Sequence, residues 1–170
     1  MDIRERKIKM ENDLDIGELI KKGGVIVDAE GDSPAELYKI IAESQKLPDY
    51  LTSEKVYSEL MQRENLMSTA VGNGMALPHP RYPLLKNEDE QRIIVCYPKK
   101  PVSMVAPDPR PVFVFFAILS STSKVHLKIL SRLAFLIQNK EFTKILAGKP
   151  SADVLADAVN RIMPPEDKRF

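Results

Sequence analysis

Apolar side chains recur at helical spacing in several separate stretches of the chain, and capping residues precede most of these stretches. An apolar face at this spacing is typical of a helix that packs one side against a core. Together these signals predict helices over 16–22, from Asp32 or Ser33 to before Pro48, from Thr52 or Ser53 to about residue 65, over 124–139 and over 151–163.

Three other stretches are rich in β-branched and aromatic residues and lack helical spacing. Residues 25–27 form a brief β-branched run, and 92–97 is an apolar run without alternation, which indicates a strand that is buried on both faces. The run PVFVFFAIL over 111–119 has the strongest β character, so we predict that it is a central strand. The stretch 98–111 contains five prolines and is predicted to be an irregular surface loop.

Composition limits the protein to one domain and removes several functional classes. A chain of 170 residues with 44% hydrophobic residues can form one compact domain with a sizeable core. The 25 basic and 24 acidic residues give a net charge of +1, which does not favour nucleic-acid binding. The single cysteine, Cys96, excludes an internal disulfide and is expected to lie in the core. No early apolar run resembles a signal peptide or a membrane span, so we expect a cytoplasmic protein.

The two ends of the chain differ from its centre. The first residues are strongly charged and lack apolar periodicity. We predict that 1–13 are a lead-in or the remnant of a linker, that 14–163 form the domain, and that 164–170 are a frayed tail.

The stretch 67–81, MSTAVGNGMALPHPR, combines one of the two histidines with the densest turn chemistry in the chain. Its Gly-Asn-Gly segment at 72–74 can adopt positive φ angles at little cost. Pro78 and Pro80 restrict the backbone on both sides of His79. This segment should therefore be stiff and extended, and it should hold the imidazole in a defined direction.

The second histidine, His126, falls in the first turn of the predicted long helix. Helical counting places it on the same stripe as Ile129, Leu133 and Ile137, so it should face inward near the positive end of the helix. Free backbone N–H groups and the helix dipole favour an anion there. On periodicity alone, a histidine at the edge of the core that bonds a backbone carbonyl is the commoner explanation.

Three segments resemble the phosphohistidine motif of enzyme IIA domains: REN at 63–65, ST at 68–69 and VGNGMALPHPR at 71–81. The similarity is to the mannitol, fructose and nitrogen-regulatory class of the phosphoenolpyruvate-dependent phosphotransferase system. It covers roughly 14–162, including the block HLKILSRLAFLI that begins at His126. Ala70 is a departure, because relatives commonly carry glycine there. The resemblance implies an α/β fold, a single compact domain in which α-helices sandwich a mixed β-sheet.

The resemblance also assigns roles to individual residues. It implies that His79 is the nucleophile that carries the phosphoryl group, and that His126 and Arg63 stabilise that group. Without the resemblance, Arg63 could equally be a solvent-exposed residue at the end of its helix, with no role in the site. One ring nitrogen of His79 must keep its proton, and either His126 or a backbone carbonyl could hold it. Weaker candidates for polar contacts in substrate binding are Thr69, Asn73, which could instead be a turn residue, and Arg81, which is expected at the rim.

The sequence also bears on functions other than phosphoryl transfer. A zinc enzyme needs three or four ligands, and the sequence has neither HExxH nor CxxC spacing, so we expect no metal and no other cofactor. Two alternatives remain, and both require that a histidine of this domain is phosphorylated. One is a phosphocarrier that accepts phosphate from an HPr-type donor and passes it to enzyme IIB during sugar uptake. The other is a regulatory module whose phosphorylation controls a protein partner. Neither requires this domain to bind nucleic acid or to insert into a membrane.

Overall fold

The computed structural model describes residues 2–5 and 14–164. The predicted lead-in over 1–13 and tail over 164–170 lie mostly outside these residues, so both stay predictions. The described elements are, in chain order, α1 (Ile16–Gly23), β1 (Val25–Ala29), α2 (Pro34–Glu43), α3 (Ser53–Leu66), β2 (Ala70–Gly72), β3 (Met75–Ala76), a 3-10 turn (Glu88–Glu90), β4 (Arg92–Pro98), β5 (Val114–Leu119), α4 (Ser123–Ile137), α5 (Lys140–Ala147) and α6 (Ala152–Ile162).

Polar side chains cap the helices near the positions that the sequence predicts. Ser33, Thr52, Thr122 and Ser151 each accept a hydrogen bond from a backbone N–H group in the first turn of the helix that follows. These bonds satisfy donors that would otherwise lack a partner at the helix start. The predicted starts of α2, α3, α4 and α6 are therefore confirmed.

The long helix is shorter than expected, and the helix after it was not predicted. Helix α4 ends at Ile137, because Asn139 accepts a hydrogen bond from the N–H of Phe142 and so begins α5. Only Phe142 and Leu146 of α5 are buried. Its large apolar residues, Phe142, Ile145 and Leu146, span little more than one turn and give too weak a periodic signal to separate this helix from α4.

The five strands form one mixed sheet in the order β1-β4-β5-β3-β2. Strand β5 is the middle strand of the sheet, as predicted, although it begins at Val114 because Val112 forms an isolated bridge with Val102 instead. Strands β3 and β5 are parallel, whereas β2 is antiparallel to β3. The ends of β3 and β5 and the start of β2 consequently lie at the same edge of the sheet.

Alternate side chains of the central strands enter two separate cores. Ile93 and Val95 pack with residues of α1, α4, α5 and α6, while Ile94 and Cys96 pack with residues of α2 and α3. Cys96 is a core residue as expected, and burial raises the pKa of its thiol to about 12. Ala70 is buried at the start of β2 and pairs with Ala76, so the fold accommodates its methyl group. The predicted α/β sandwich with helices on both faces of a mixed sheet is confirmed.

No helix in the described ranges has both the length and the apolar character that a membrane crossing requires.

Gly23, at the end of α1, offers a test of the packing between α1 and β4. A Cβ atom at this position would lie 2.0 Å from the carbonyl oxygen of Ile93 and 2.4 Å from its carbonyl carbon. Backbone atoms cannot rotate away, so we expect Gly23→Ala to lower the free energy of unfolding by about 3 kcal/mol, as overpacking does. Urea denaturation followed by circular dichroism measures this change.

Gly148→Ala is the matched control. Gly148 has a φ of −80°, and a Cβ atom there would meet nothing closer than 3.4 Å. This substitution should change the free energy of unfolding by no more than about 0.5 kcal/mol. Equal effects of the two substitutions would show that the contact between α1 and β4 yields more easily than the structure indicates.

Candidate functional site

His79 lies in the extended segment that follows β3. The carbonyl oxygen of Pro78 accepts a hydrogen bond of 2.9 Å from the N–H of Ile118, which holds this segment beside β5. The Nδ1 atom of His79 lies 2.7 Å from the carbonyl oxygen of Leu77. A carbonyl oxygen can only accept, so we assign the proton to Nδ1 and the lone pair to Nε2. Of the two partners considered for this proton, the backbone carbonyl is therefore the one that holds it.

His126 lies in the first turn of α4, immediately after β5. Its ring centroid is 4.7 Å from that of His79, with the two ring planes tilted by 46°. The rings meet because β3 and β5 are parallel neighbours and each histidine follows the carboxyl end of its strand. His126 is partly exposed, so it sits at the edge of the buried stripe that contains Ile129 and Leu133.

Thr122 caps the start of α4. The side chain of Thr122 accepts a bond from the N–H of Val125, and its carbonyl oxygen accepts one from the N–H of His126. The first is the usual N-cap bond and the second is the first intrahelical bond, so α4 begins as an ordinary capped helix whose dipole favours an anion beside His126.

Arg63 lies in the last turn of α3, just before the chain enters β2. Its Nη1 atom donates a hydrogen bond of 2.7 Å to the carbonyl oxygen of Met67. Its side chain is partly buried, and its positive charge lowers the pKa of both His79 and His126. The structure thus brings the three residues of the proposed catalytic set together at one edge of the sheet.

Both imidazoles are shifted towards the neutral form. Burial is the main cause of the lowered pKa of His79, the hydrogen bond to Leu77 opposes it, and Arg63 lowers it further. Burial, then His79 and then Arg63 lower the pKa of His126 to about 4. At pH 7 both rings are neutral, so Nε2 of His79 can act as a nucleophile.

The three weaker candidates occupy different places. Thr69 is buried, and its hydroxyl donates a hydrogen bond of 2.5 Å to Oε2 of Glu64. Asn73 has a φ of 55° at the turn between β2 and β3, and its N–H bonds the carboxylate of Asp108 at 2.9 Å, which fits a turn residue. Arg81 is exposed, as expected at the rim, and it lines a small cleft together with His126.

Sequence reasoning missed one residue next to this set, Glu64. Its carboxylate bonds the hydroxyl groups of Tyr38 and Thr69. Glu64 follows Val56 and Leu60 at helical spacing, and both of these are buried. That spacing could have indicated that Glu64 faces inward.

The described residues include no group of three or more His, Cys, Asp or Glu side chains placed to hold a metal ion.

Residues 18–161 match the family model described as "Phosphoenolpyruvate-dependent sugar phosphotransferase system, EIIA 2". The chain belongs to this family. It is 27% identical to a nitrogen regulatory protein of Pseudomonas aeruginosa over 84% of the chain and 92% of that protein. It is 29% identical to the fructose-specific EIIABC component of the phosphotransferase system of Bacillus subtilis, over 74% of the chain and 19% of that longer protein.

The fold of this EIIA-family chain also matches a solved structure. The nitrogen regulatory protein IIA-Ntr from Neisseria meningitidis superposes with a TM-score of 0.74 at 28% identity. The match covers 85% of the chain and 98% of that protein. The resemblance inferred from the motifs around His79 and His126 is therefore confirmed at the level of family and fold.

The lowered pKa of His126 predicts how stability depends on pH. The unfolded chain binds a proton there near the ordinary value of 6.5, whereas the folded chain does so only near pH 4. Between these values the unfolded state binds more protons, so the free energy of unfolding should decrease as pH falls from about 6.5. Urea denaturation at pH 7 and pH 5 measures the decrease. It should be smaller in His126→Gln, and an equal decrease in both proteins would contradict the shift.

Proposed function

We propose that this chain is a phosphocarrier of the phosphotransferase system that accepts a phosphoryl group on Nε2 of His79. The observation that carries the proposal is the hydrogen bond from Nδ1 to the carbonyl oxygen of Leu77. This bond leaves the nucleophilic lone pair on Nε2, in a ring that lies beside His126 and within the field of Arg63. A neutral, fixed imidazole beside a cation fits a phosphoryl acceptor.

The chemistry is an in-line exchange between two histidines. The lone pair on Nε2 of His79 attacks the phosphorus of a phosphorylated HPr-type donor, and the nitrogen–phosphorus bond of the donor breaks as the new one forms. The bonding electrons return to the imidazole of the donor. Arg63 and a ring N–H of His126 stabilise the charge on the phosphoryl oxygens. The family of the chain and the geometry of these three residues support this sequence of events.

We propose two possible uses of the phosphoryl group on His79 and give the preferred one first. The first is transfer to an enzyme IIB in sugar uptake, which the family description and the fructose-specific relative support. The second is a regulatory signal read by a protein partner. It is favoured by the similarity to the nitrogen regulatory proteins of Pseudomonas aeruginosa and Neisseria meningitidis over almost their full lengths. Both outcomes would take place in the cytoplasm, without nucleic acid or membrane insertion by this domain.

Phosphorylation with purified partners tests the carrier function. The protein is incubated with phosphoenolpyruvate, enzyme I and HPr, and the acid-labile phosphate is mapped by mass spectrometry under alkaline conditions. We expect one phosphoryl group, on His79. Label on His126, or on neither histidine, would contradict the proposal. Offering the labelled protein to cysteine-bearing IIB proteins, beside pull-downs with and without phosphate, then separates transport from regulation.

A further inference from the structure

Glu64 receives three hydrogen bonds that tie three elements together. Its Oε2 atom accepts bonds from the hydroxyl of Tyr38 at 2.8 Å and from that of Thr69 at 2.5 Å. Its Oε1 atom accepts a bond of 3.0 Å from the backbone N–H of Thr69. Tyr38 lies on α2, Glu64 in the last turn of α3 and Thr69 just before β2. Bonds to an ionised carboxylate are stronger than bonds between neutral groups, so this carboxylate holds Thr69 firmly.

The same series of hydrogen bonds continues to the reactive ring. The carbonyl oxygen of Thr69 accepts a bond of 3.0 Å from the N–H of Leu77. The carbonyl oxygen of Leu77 in turn accepts a hydrogen bond from Nδ1–H of His79, at 2.7 Å. Two residues, Thr69 and Leu77, therefore link the carboxylate of Glu64 to the imidazole through the positions of their backbone groups.

Leu77 lies between β3 and the bond that joins Pro78 to Ile118, and Thr69 accepts the hydrogen bond from the N–H group of Leu77. The adjoining strand β3 contains two residues and β2 contains three. Pro78 follows Leu77 and has no N–H group to donate. The pairing of Leu77 with Thr69 is consequently important for the direction of the Leu77 carbonyl group, and Glu64 holds Thr69 by both its N–H and its hydroxyl.

We propose that Glu64 is a positioning residue for phosphoryl transfer, which acts through Thr69 and Leu77 to hold the proton on Nδ1 of His79 and the lone pair on Nε2. This inference rests on the proposed function. Glu64 touches neither the phosphoryl group nor the imidazole in this role. The negative charge of Glu64 also acts on His79 in the opposite sense to the positive charge of Arg63. It therefore stabilises the positive charge that the ring gains as Nε2 attacks.

A purely structural role for Glu64 makes different predictions. Under it, substitutions would lower the melting temperature, while the tautomer and the reactivity of His79 in the folded protein would not change. The tautomer is read from the ¹⁵N chemical shifts of the imidazole nitrogens in protein labelled at histidine. This measurement needs no phosphoryl donor, so it remains informative even if the proposed function fails.

The experiment compares Glu64→Gln and Thr69→Val with matched controls. Glu64→Gln keeps the shape of the side chain without its charge, and Thr69→Val removes the hydroxyl but keeps the backbone. Thr69→Ser restores the hydroxyl, and Glu54→Gln removes a carboxylate from the first turn of the same helix. Each variant is assayed for melting temperature, for the His79 tautomer at pH 7.5, and for kcat and KM with phosphorylated HPr.

We expect Glu64→Gln and Thr69→Val to populate the tautomer with the proton on Nε2. Their kcat should fall about tenfold, as for the loss of one charge-assisted bond, with KM for HPr unchanged. Thr69→Ser and Glu54→Gln should resemble the wild type. Folded variants that keep the wild-type tautomer, or that lose it without any fall in kcat, would overturn the proposal. If Glu64→Gln does not fold, Thr69→Val and Thr69→Ser test the proposal by the same two criteria, the tautomer of His79 and kcat. A wild-type protein that takes no phosphate would overturn the proposed function instead.

Discussion

Replacing His79 by alanine should abolish phosphorylation of this protein by HPr. The substitution removes the imidazole whose tautomer the described structure fixes, since Nδ1 of His79 donates to the carbonyl oxygen of Leu77 and Nε2 keeps the lone pair that reacts. No partial activity is expected, because Arg63 cannot accept a phosphoryl group and we assign His126 the role of a hydrogen-bond donor, not of a nucleophile. The measurement is incorporation of labelled phosphate from phosphoenolpyruvate in the presence of enzyme I and HPr.

His126→Ala is the matched control, because it removes the second imidazole from the same site. This variant keeps the nucleophile and should still accept phosphate on His79. It should do so about five- to a hundred-and-fifty-fold more slowly, as expected from the loss of a contact worth about 1–3 kcal/mol in the transition state. An unchanged rate with a lowered melting temperature would show that His126 is structural. Phosphate incorporated by His79→Ala itself would mean that the nucleophile has been assigned to the wrong residue.

Local signals in the sequence predicted most of the fold. Capping residues such as Thr52 and Thr122 marked helix starts, because their side chains bond the first backbone N–H groups. The long run of β-branched and aromatic residues marked β5, because only a central strand buries every one of its side chains. The boundary between α4 and α5 was not predicted, because Asn139 could lie either in the last turn of one helix or at the N-cap of the next.

Some features of the site follow from local sequence patterns, whereas others depend on contacts between distant parts of the chain. The prolines around His79 indicated an extended segment, and helical counting placed His126 near the start of α4 and towards the core. The resemblance implied that both histidines belong to one site. Their rings lie side by side because β3 and β5 are parallel neighbours, which neither the resemblance nor local patterns specified. Glu64 was missed because its role depends on Tyr38 and Thr69, and a sequence does not show which distant groups a carboxylate bonds.

Arg63 is expected to have the second-largest effect on phosphorylation. Its guanidinium group is the cation that acts on both imidazoles, and a loose phosphoryl transition state spreads negative charge over three oxygens. Losing one preorganised contact of this kind lowers rates by about tens- to a thousandfold. Arg63→Ala should therefore slow phosphorylation by HPr within this range. The rate is measured by single-turnover transfer from phosphorylated HPr.

The fold should survive Arg63→Ala, because the bond to the Met67 carbonyl that it removes is exposed at the end of α3. Arg161→Ala provides the control, since it removes an arginine whose exposed partner is Glu141, and an exposed ion pair contributes little. Arg63→Lys separates charge from shape. Lysine keeps the positive charge but loses the planar group that binds two phosphoryl oxygens at once, so its rate should lie between those of the wild type and Arg63→Ala. If Arg63→Ala transferred phosphate at the wild-type rate, Arg63 would be a helix-end residue, and stabilisation of the phosphoryl group would have to come from His126 and the start of α4.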